Sequence, residues 1–468
     1  MTATLLLLLA VGIPVVVTLW VLTVWRPAIG CALLVLGIPL TGGLARGSVI
    51  PLLRVNEALL LVVVSALLVR ELPRRHRLTF TGLDVVVFAF CVGGVLVPWA
   101  VLSLQHADTT LDDWRSVLAP IQYLLVYLVF SRVAFLEGEV RLLLNLALLA
   151  SLIVALVALA EVANVPGVRD VIANYYPPLA TAPGTVTDTQ LRPSSLLGHY
   201  SAVGAFGVIN LALALALAAA RPGGFNGVWL GLVMAFNAIA VVATQTLAPI
   251  LVIPLAAGLV FLLLRRVPWQ VGFAPIVLVA GLIPLWPSVQ ARIQEQLATG
   301  SPGPGVSGGI LPASLQVRVG YWQDFFLPSL LNHGPWLGTG TLIPSDVPGP
   351  LVQFVDNGYL WMGFRAGLAG ILLMVVLLVS IAGVAWGLRT SRVALHRAIG
   401  ATAFASVISF ALMEFTSEYL TFTSVIQEFW MIVGLTAAAA AHRQLSPRRY
   451  LALSGRGNEL HRRRRLPV

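Results

Sequence analysis

The chain has no lysine, only two cysteines among its 468 residues, and only 10% charged side chains. Cys31 and Cys91 both sit inside apolar runs, so neither a disulfide framework nor a zinc site of ordinary spacing can be built on them, and they read as small packing residues. The formal charge of +10 rests wholly on arginine, spread over short connecting segments and the C-terminal tail. That scatter suits membrane orientation, and no nucleic-acid partner is expected. A phosphate-binding P-loop, an HExxH pair, a CxxC pair and a GxSxG elbow are all missing, which withdraws the usual sequence support for nucleotide hydrolysis, zinc hydrolysis and a serine nucleophile.

Apolar sequence is what the chain has in excess. It is 58% hydrophobic with a mean hydropathy of +0.91, more apolar surface than a soluble core of this length could hide. Runs of about 17 to 25 apolar residues, enough for a helix to cross a bilayer, lie near 4–25, 28–45, 52–69, 83–104, 117–135, 140–161, 199–219, 227–243, 246–264, 269–287, 357–388, 394–413 and 421–441. Only Arg26 and Pro27 separate the first two, and the first, followed by no small-residue cleavage site, is expected as a retained span. The expected fold is all-α: a polytopic transmembrane bundle of about 12 to 13 spans over residues 1–441, followed by a basic tail over 442–468.

Arginine sets the expected orientation. It collects at 70–77, at Arg132 and Arg141, at Arg265 and Arg266, at 389–397 and in the tail from Arg443, which marks those segments and the C-terminus as cytoplasmic. Arg46 and Arg54 fall on the opposite side and conflict with that rule. The two longest outward loops run from about 164 to 198 and from about 288 to 356, and loops of that length are uncommon unless they work or are disordered. Residues 299–309 are rich in Gly, Pro and Ser and read as a link. Beyond it, Leu315, Val319, Trp322, Phe326 and Leu330 recur at helical spacing, as in an amphipathic helix lying on a membrane surface.

The chemistry left to such loops is arginine with carboxylate. A guanidinium keeps its charge and grips a diphosphate through paired hydrogen bonds, which makes Arg192 and Arg318 candidates for holding an anionic lipid headgroup. Their plainer readings are an interfacial headgroup contact for Arg192 and a snorkelling side chain for Arg318. Asp356, where the long loop enters a helix, is either an N-cap or an acceptor of a proton from an incoming hydroxyl. His199, after Gly198 at a helix start, is a structural histidine or a base. Glu414 and Glu418, one turn apart, are a solvated helix end or an acceptor-binding pair. Asp112 and Asp113 read as partners of a helix N-terminus.

Three stretches in sequence carry a resemblance. Arg192-Pro193-Ser194-Ser195-Leu196-Leu197-Gly198-His199-Tyr200, then Arg318 with Trp322 and Pro335-Trp336-Leu337-Gly338-Thr339-Gly340, then Asp356-Asn357-Gly358-Tyr359-Leu360, together resemble the O-antigen ligase and O-antigen polymerase family of bacterial membrane glycan enzymes. The resemblance implies inverting, metal-independent glycosyl transfer on the extracytoplasmic side of the bacterial inner membrane, without a cofactor. The donor would be a polyprenyl-diphosphate-linked oligosaccharide, held by Arg192 and Arg318, with Asp356 activating the acceptor hydroxyl. His199, Gln245, Trp322, Asn357, Tyr359, Glu414 and Glu418 are its supporting candidates, and membrane lipid and a chain-length regulator its further partners.

Two departures shape the expectation. Where the family's ligases carry a Ser-Arg pair, this chain reads Ala243-Thr244-Gln245-Thr246-Leu247-Ala248, so one arginine is missing, and Gln245 can donate to a phosphate without neutralising it. Asp356 stands where ligases carry histidine, which is similar to polymerase-type members and favours extension of a surface or secreted polysaccharide over ligation to another acceptor. The rival classes are a lipid-linked oligosaccharide flippase, disfavoured because the arginines fall at helix ends and in loops, a glycosyltransferase using a monosaccharide phosphate lipid, and a structural scaffold.

Overall fold

A computed structural model of the chain describes residues 3–48, 50, 53–71, 80–105, 109–176, 192–272, a few positions between 283 and 294, 313–349 and 355–444. Among the described residues there are helices and turns and no strand ladder, so the protein is an all-α bundle. The helices are α1 (Ala3–Trp25), α2 (Pro27–Thr41), α3 (Val55–Glu71), α4 (Gly82–Leu104), α5 (Leu111–Arg132), α6 (Glu137–Val162), α7 (Val168–Tyr175), α8 (Tyr200–Ala220), α9 (Gly227–Ala243) and α10 (Leu247–Leu264). They continue as α11 (Ala313–Tyr321), α12 (Leu327–His333), α13 (Gly358–Gly387), α14 (Ala394–Met413) and α15 (Thr423–Gln444). Every apolar run expected to span coincides with one of these, except 269–287, most of which lies outside the described residues, as does the tail from 445 onward.

Eight of the described helices are long and apolar enough to cross a membrane, with shorter apolar helices beside them. Their outward faces confirm the solvent: α13 exposes Leu372, Val375, Val376 and Val379, a stripe at helical spacing that water would not tolerate and lipid would. The protein is a multi-pass membrane protein. Residue boundaries follow ordinary helix chemistry. Thr110 caps α5, accepting from the Asp113 N–H while Asp113 accepts from the Thr110 N–H at 2.7 Å, and Asp112 pairs with Arg115, the helix-start role expected of both aspartates.

The centre of the bundle is α8. Its sequence of Ala, Leu and Gly is apolar on every side, and its span is fully buried among α6, α9, α10, α14 and α15. Small residues let neighbours come close; a Cβ on Gly207 would overlap Val241 of α9. Asn210 brings a polar side chain into this core, donating to Phe206 O at 3.0 Å and to the buried Glu428 of α15 at 3.1 Å.

α13 is broken near its start. Ala366 and Gly367 leave helical geometry, with Gly367 at φ 64°, and the turn Pro335–Gly340 enters the gap. Phe364 O receives the N–H groups of Thr339 at 2.6 Å and Gly340 at 3.2 Å, while Leu368 N–H donates to Pro335 O at 2.9 Å and Ala369 N–H to Trp336 O at 3.3 Å. Backbone groups freed by the break therefore find partners inside the protein, the condition for irregular backbone in a membrane fold. Arg365, one residue before the break, corrects the expectation that arginine stays at helix ends. It is 2% exposed and donates to Gly94 O at 2.9 and 3.1 Å and to Val117 O at 2.8 Å. Pro98 has no N–H to offer Gly94 O, so Arg365 fills a vacancy that proline leaves in α4.

The stripe from Leu315 to Leu330 is helical as expected, an unbroken run of α11, a π-helical turn over Trp322–Phe326, and α12; where a surface helix would turn its stripe to lipid, its Phe326 and Leu330 close on Val347, Val355 and Phe364 in a small second core. It covers the entry to α13. Cys31 and Cys91 are buried and free, as packing residues should be. Gly367→Ala should cost about 2 kcal/mol or more, because its φ is left-handed and a Cβ would overlap the Trp336 carbonyl; a lowered thermal midpoint of the detergent-solubilised protein is the measurement.

Candidate active site

The loops expected to face one side meet around a single cavity of about 1650 Å³. Its wall includes Arg192, Arg318, Asp356, His199, Gln245 and Glu418 from the sequence-level candidates, together with Arg46 and Arg54. It is larger than the ~300–1,000 Å³ pockets that suit drug-sized ligands.

Arg192 is placed from two directions. Glu161, at the end of α6, accepts from the N–H groups of Ser194 at 3.3 Å and Ser195 at 2.9 Å, and the Ser195 hydroxyl donates to Val154 O at 2.8 Å, pinning the turn after the arginine. From the other side, Arg192 donates through Nε to Thr244 O and through a terminal nitrogen to Thr246 Oγ1, both at 2.9 Å, and its guanidinium lies 3.3 Å from the ring centre of Tyr200. The turn around Gln245 thus grips Arg192, with Gln245 itself at φ 52° on the cavity wall.

Arg318, on α11, donates to Thr416 O at 2.8 Å and ion-pairs through Nε with Asp356 Oδ2 at 3.0 Å. Asp356 is not the N-cap. Asn357 takes that role, its Oδ1 accepting from the N–H groups of Tyr359 and Leu360 at 3.0 Å each, while Asp356 stands one residue outside the helix at φ 44°. A β-carboxylate held in a left-handed backbone conformation carries strain, and strained residues cluster at working sites. Desolvation pushes the Asp356 carboxyl above its ordinary range; Arg318 and then Arg192 oppose that. Both guanidiniums therefore act on one carboxylate.

The remaining candidates divide. Glu418 is on the cavity wall; desolvation first, then the Asp356 charge, push its carboxyl up to about 7. Glu414 is buried, not a solvated helix end: its carboxylate accepts from Leu420 N–H at 2.7 Å and its carbonyl from Gly358 N–H at 2.7 Å, so it joins the starts of α13 and α15. Trp322 donates to Val355 O at 2.7 Å and Tyr359 to Ala411 O at 2.7 Å, holding the end of the long loop without lining the cavity. His199 caps α8, its Nδ1 accepting from Ser201 N–H at 3.1 Å, which puts the neutral ring's proton on Nε2. Desolvation and then Arg192 hold its pKa at about 4, so it is uncharged at neutral pH. Among the described residues no three His, Cys, Asp or Glu side chains converge as metal ligands would.

Sequence reasoning missed Arg46 and Arg54 as cavity residues. Their signal was present as two arginines on the side where the charge rule places few. Apolar residues complete the wall: Leu247, Leu251 and Leu255 run along one face of α10, and Leu247 and Leu251 are exposed at the bundle surface. A scan against protein-family models finds no match for this chain, and no curated protein matches it.

Glu418 makes stability depend on pH. A carboxyl raised from 4.5 to about 7 in the folded protein binds more proton there than when unfolded, so stability is greatest below 4.5 and falls as pH rises toward 7. One proton of difference gives at most about 1.4 kcal/mol per pH unit, and Glu418→Gln should flatten the fall of the thermal midpoint across this window.

Proposed function

We propose that this protein is a glycosyltransferase of the polymerase type related to the O-antigen ligases and polymerases, acting on the extracytoplasmic side of a bacterial inner membrane with its C-terminus in the cytoplasm. One observation carries the reading: Arg192 and Arg318 flank the Asp356 carboxylate in a single cavity whose α10 wall is an apolar stripe open to the bundle surface. A polyprenyl diphosphate has that same pairing of anionic head and apolar tail.

In this reaction the guanidiniums of Arg192 and Arg318 hold the donor's diphosphate. Its tail follows Leu247, Leu251 and Leu255 along α10 toward lipid. The acceptor hydroxyl attacks the anomeric carbon, the bond from that carbon to the diphosphate oxygen breaks, and the diphosphate leaves with the electron pair. Charge grows on the leaving group as the bond breaks, and fixed guanidiniums in a desolvated cavity stabilise it with no reorganisation. The hydroxyl proton passes to Asp356. Arg318 and Arg192 counter the desolvation that would protonate this carboxylate in advance, and Glu418 is the partner more readily kept protonated; two carboxyls driven apart by their surroundings can divide the roles of base and neutral donor.

The test is elongation of a polyprenyl-diphosphate oligosaccharide by the purified protein in nanodiscs, without nucleotide. Product ladders should form and persist with chelator present; chelator sensitivity would overturn guanidinium-based charge compensation. Arg318→Ala should abolish donor binding and elongation. Asp356→Asn should retain donor binding and lower turnover by roughly 10²- to 10⁴-fold; loss of donor binding in that variant would return Asp356 to a structural role.

A further inference from the structure

We infer that the turn 335–340 and one side of α12 form a foot set into the leaflet on the cavity's side of the bundle, where Leu327, Leu331, Trp336 and Leu337 meet lipid acyl chains and fix the height of the Arg318–Asp356 pair. The foot concerns how the protein sits in lipid, and it stands independently of the glycosyl-transfer reading.

Helix length gives the level of this turn. α13 and its continuation run from Gly358 to Thr390, 33 residues, more than the ~30 Å hydrocarbon core requires. Beyond the break, the part from Leu368 to Trp386 rises roughly 27 Å, so it nearly crosses that core alone. Its far end carries the mark of an interface, since Trp386 is exposed and Arg389 lies over its ring at 4.2 Å. Measured back from there, the break at Ala366 and Gly367 falls where the hydrocarbon ends on the cavity's side. The turn that fills the break is at that boundary too.

α4 gives the same level from another helix. A Cβ on Gly340 would come within 2.7 Å of Leu102 and 3.2 Å of the Pro98 carbonyl oxygen, so the turn abuts α4 between these residues. Trp99, which lies between them in the chain and roughly 26 Å along the helix from Gly82, is exposed, and Trp336 is 70% exposed. Two exposed tryptophans at one level of a membrane bundle match the interfacial belt, where the indole ring rests among acyl chains and its N–H reaches water.

The side chains of the foot suit that place. Leu327 and Leu331 stand one turn apart on one side of α12, whereas Asn332 is about 100° further round and His333 about 200°, and His333 pairs there with Asp346. These leucines are not the stripe that closes the second core, which uses Phe326 and Leu330. With Leu337 they continue the lipid face of α13, whose Leu368 and Leu372 are exposed just past the break. Irregular backbone is admissible at this depth because Phe364 O accepts from Thr339 and Gly340, and the Pro335 and Trp336 carbonyls accept from Leu368 and Ala369.

Arg318 and Asp356 are both carried by segments that meet the foot. α11 passes through the π-helical turn into α12 without interruption, and α13 begins two residues after Asp356 and reaches the turn at Phe364. A foot seated at the hydrocarbon boundary therefore holds the Arg318–Asp356 ion pair at a set distance from the lipid headgroups.

The experiment attaches a nitroxide to Leu337→Cys and, separately, to Leu331→Cys, in a Cys31→Ala, Cys91→Ala background and in phosphatidylcholine nanodiscs. Collision with oxygen, which dissolves among acyl chains, is compared with collision with a water-soluble nickel chelate. Leu372→Cys on the lipid face of α13 and Asp112→Cys, whose side chain is 83% exposed at the start of α5, are the two references. Labels at 337 and 331 should favour oxygen over the nickel chelate as the label at 372 does, with the preference reversed at 112. Thermal midpoints confirm the fold, and the second site decides if the first variant misfolds. A preference for the nickel chelate would put the turn in water and overturn the foot; shielding from both probes would show protein covering the patch and overturn its contact with lipid. No substrate is present, so either failure leaves the glycosyl-transfer reading standing.

Discussion

A guanidinium in a low-dielectric setting has to be answered by carboxylate, carbonyl or ring, and the cavity of this protein is arranged around that requirement. Arg192 is answered by two threonines and a tyrosine face, Arg318 by Asp356 and a carbonyl, Arg46 by Glu57, and Arg365 by the carbonyls of Gly94 and Val117. These partners come from helices far apart in sequence, so the loops between helices are fixed by the same contacts that neutralise charge. The site is therefore rigid because its arginines are expensive to bury.

The bundle supplies the frame for this. α8 runs through its middle as an apolar rod of small side chains, and its first residues, His199 at the cap and Tyr200 in the first turn, are also cavity residues. α13 is capped by Asn357, beside Asp356, and its break is filled by the turn before it. α8, α14 and α15 contribute to the site at their ends, where the backbone can be turned and side chains of unlike kind can meet, while α10 contributes along one face. Of the described non-glycine residues with positive φ, Gln245 and Asp356 line the cavity and Ser195 follows the turn that carries Arg192. The other four, Asn164, Arg221, Arg265 and Thr341, lie away from the cavity wall.

Much of this was readable from the amino acids. Uninterrupted apolar length located the helices, since that signal depends on composition and the bilayer's fixed thickness. Arg192, Arg318 and Asp356 stood out because charge is scarce in the chain. What stayed hidden depended on contacts across sequence. Asn357 and Asp356 are adjacent and equally good caps, and only the path of the backbone decides which one accepts from the helix. Glu414 looked solvated because a second carboxylate, Glu418, stands one turn further on, yet its neighbours in space are the Gly358 and Leu420 amides. Arg365 lay in a run long enough to span, and nothing local shows that Pro98 leaves a carbonyl for it 271 residues away in sequence.

The turn that completes α13 lies earlier in the chain than the helix it repairs. During synthesis Pro335–Gly340 leaves the ribosome before Phe364 and Leu368 exist to receive it, so that turn has no docked state until the later helix has arrived. Because Asp356 and Asn357 sit between the two, assembly of this end of the cavity is tied to this late event, and a chain arrested before α13 is finished carries the cavity's sequence without its geometry.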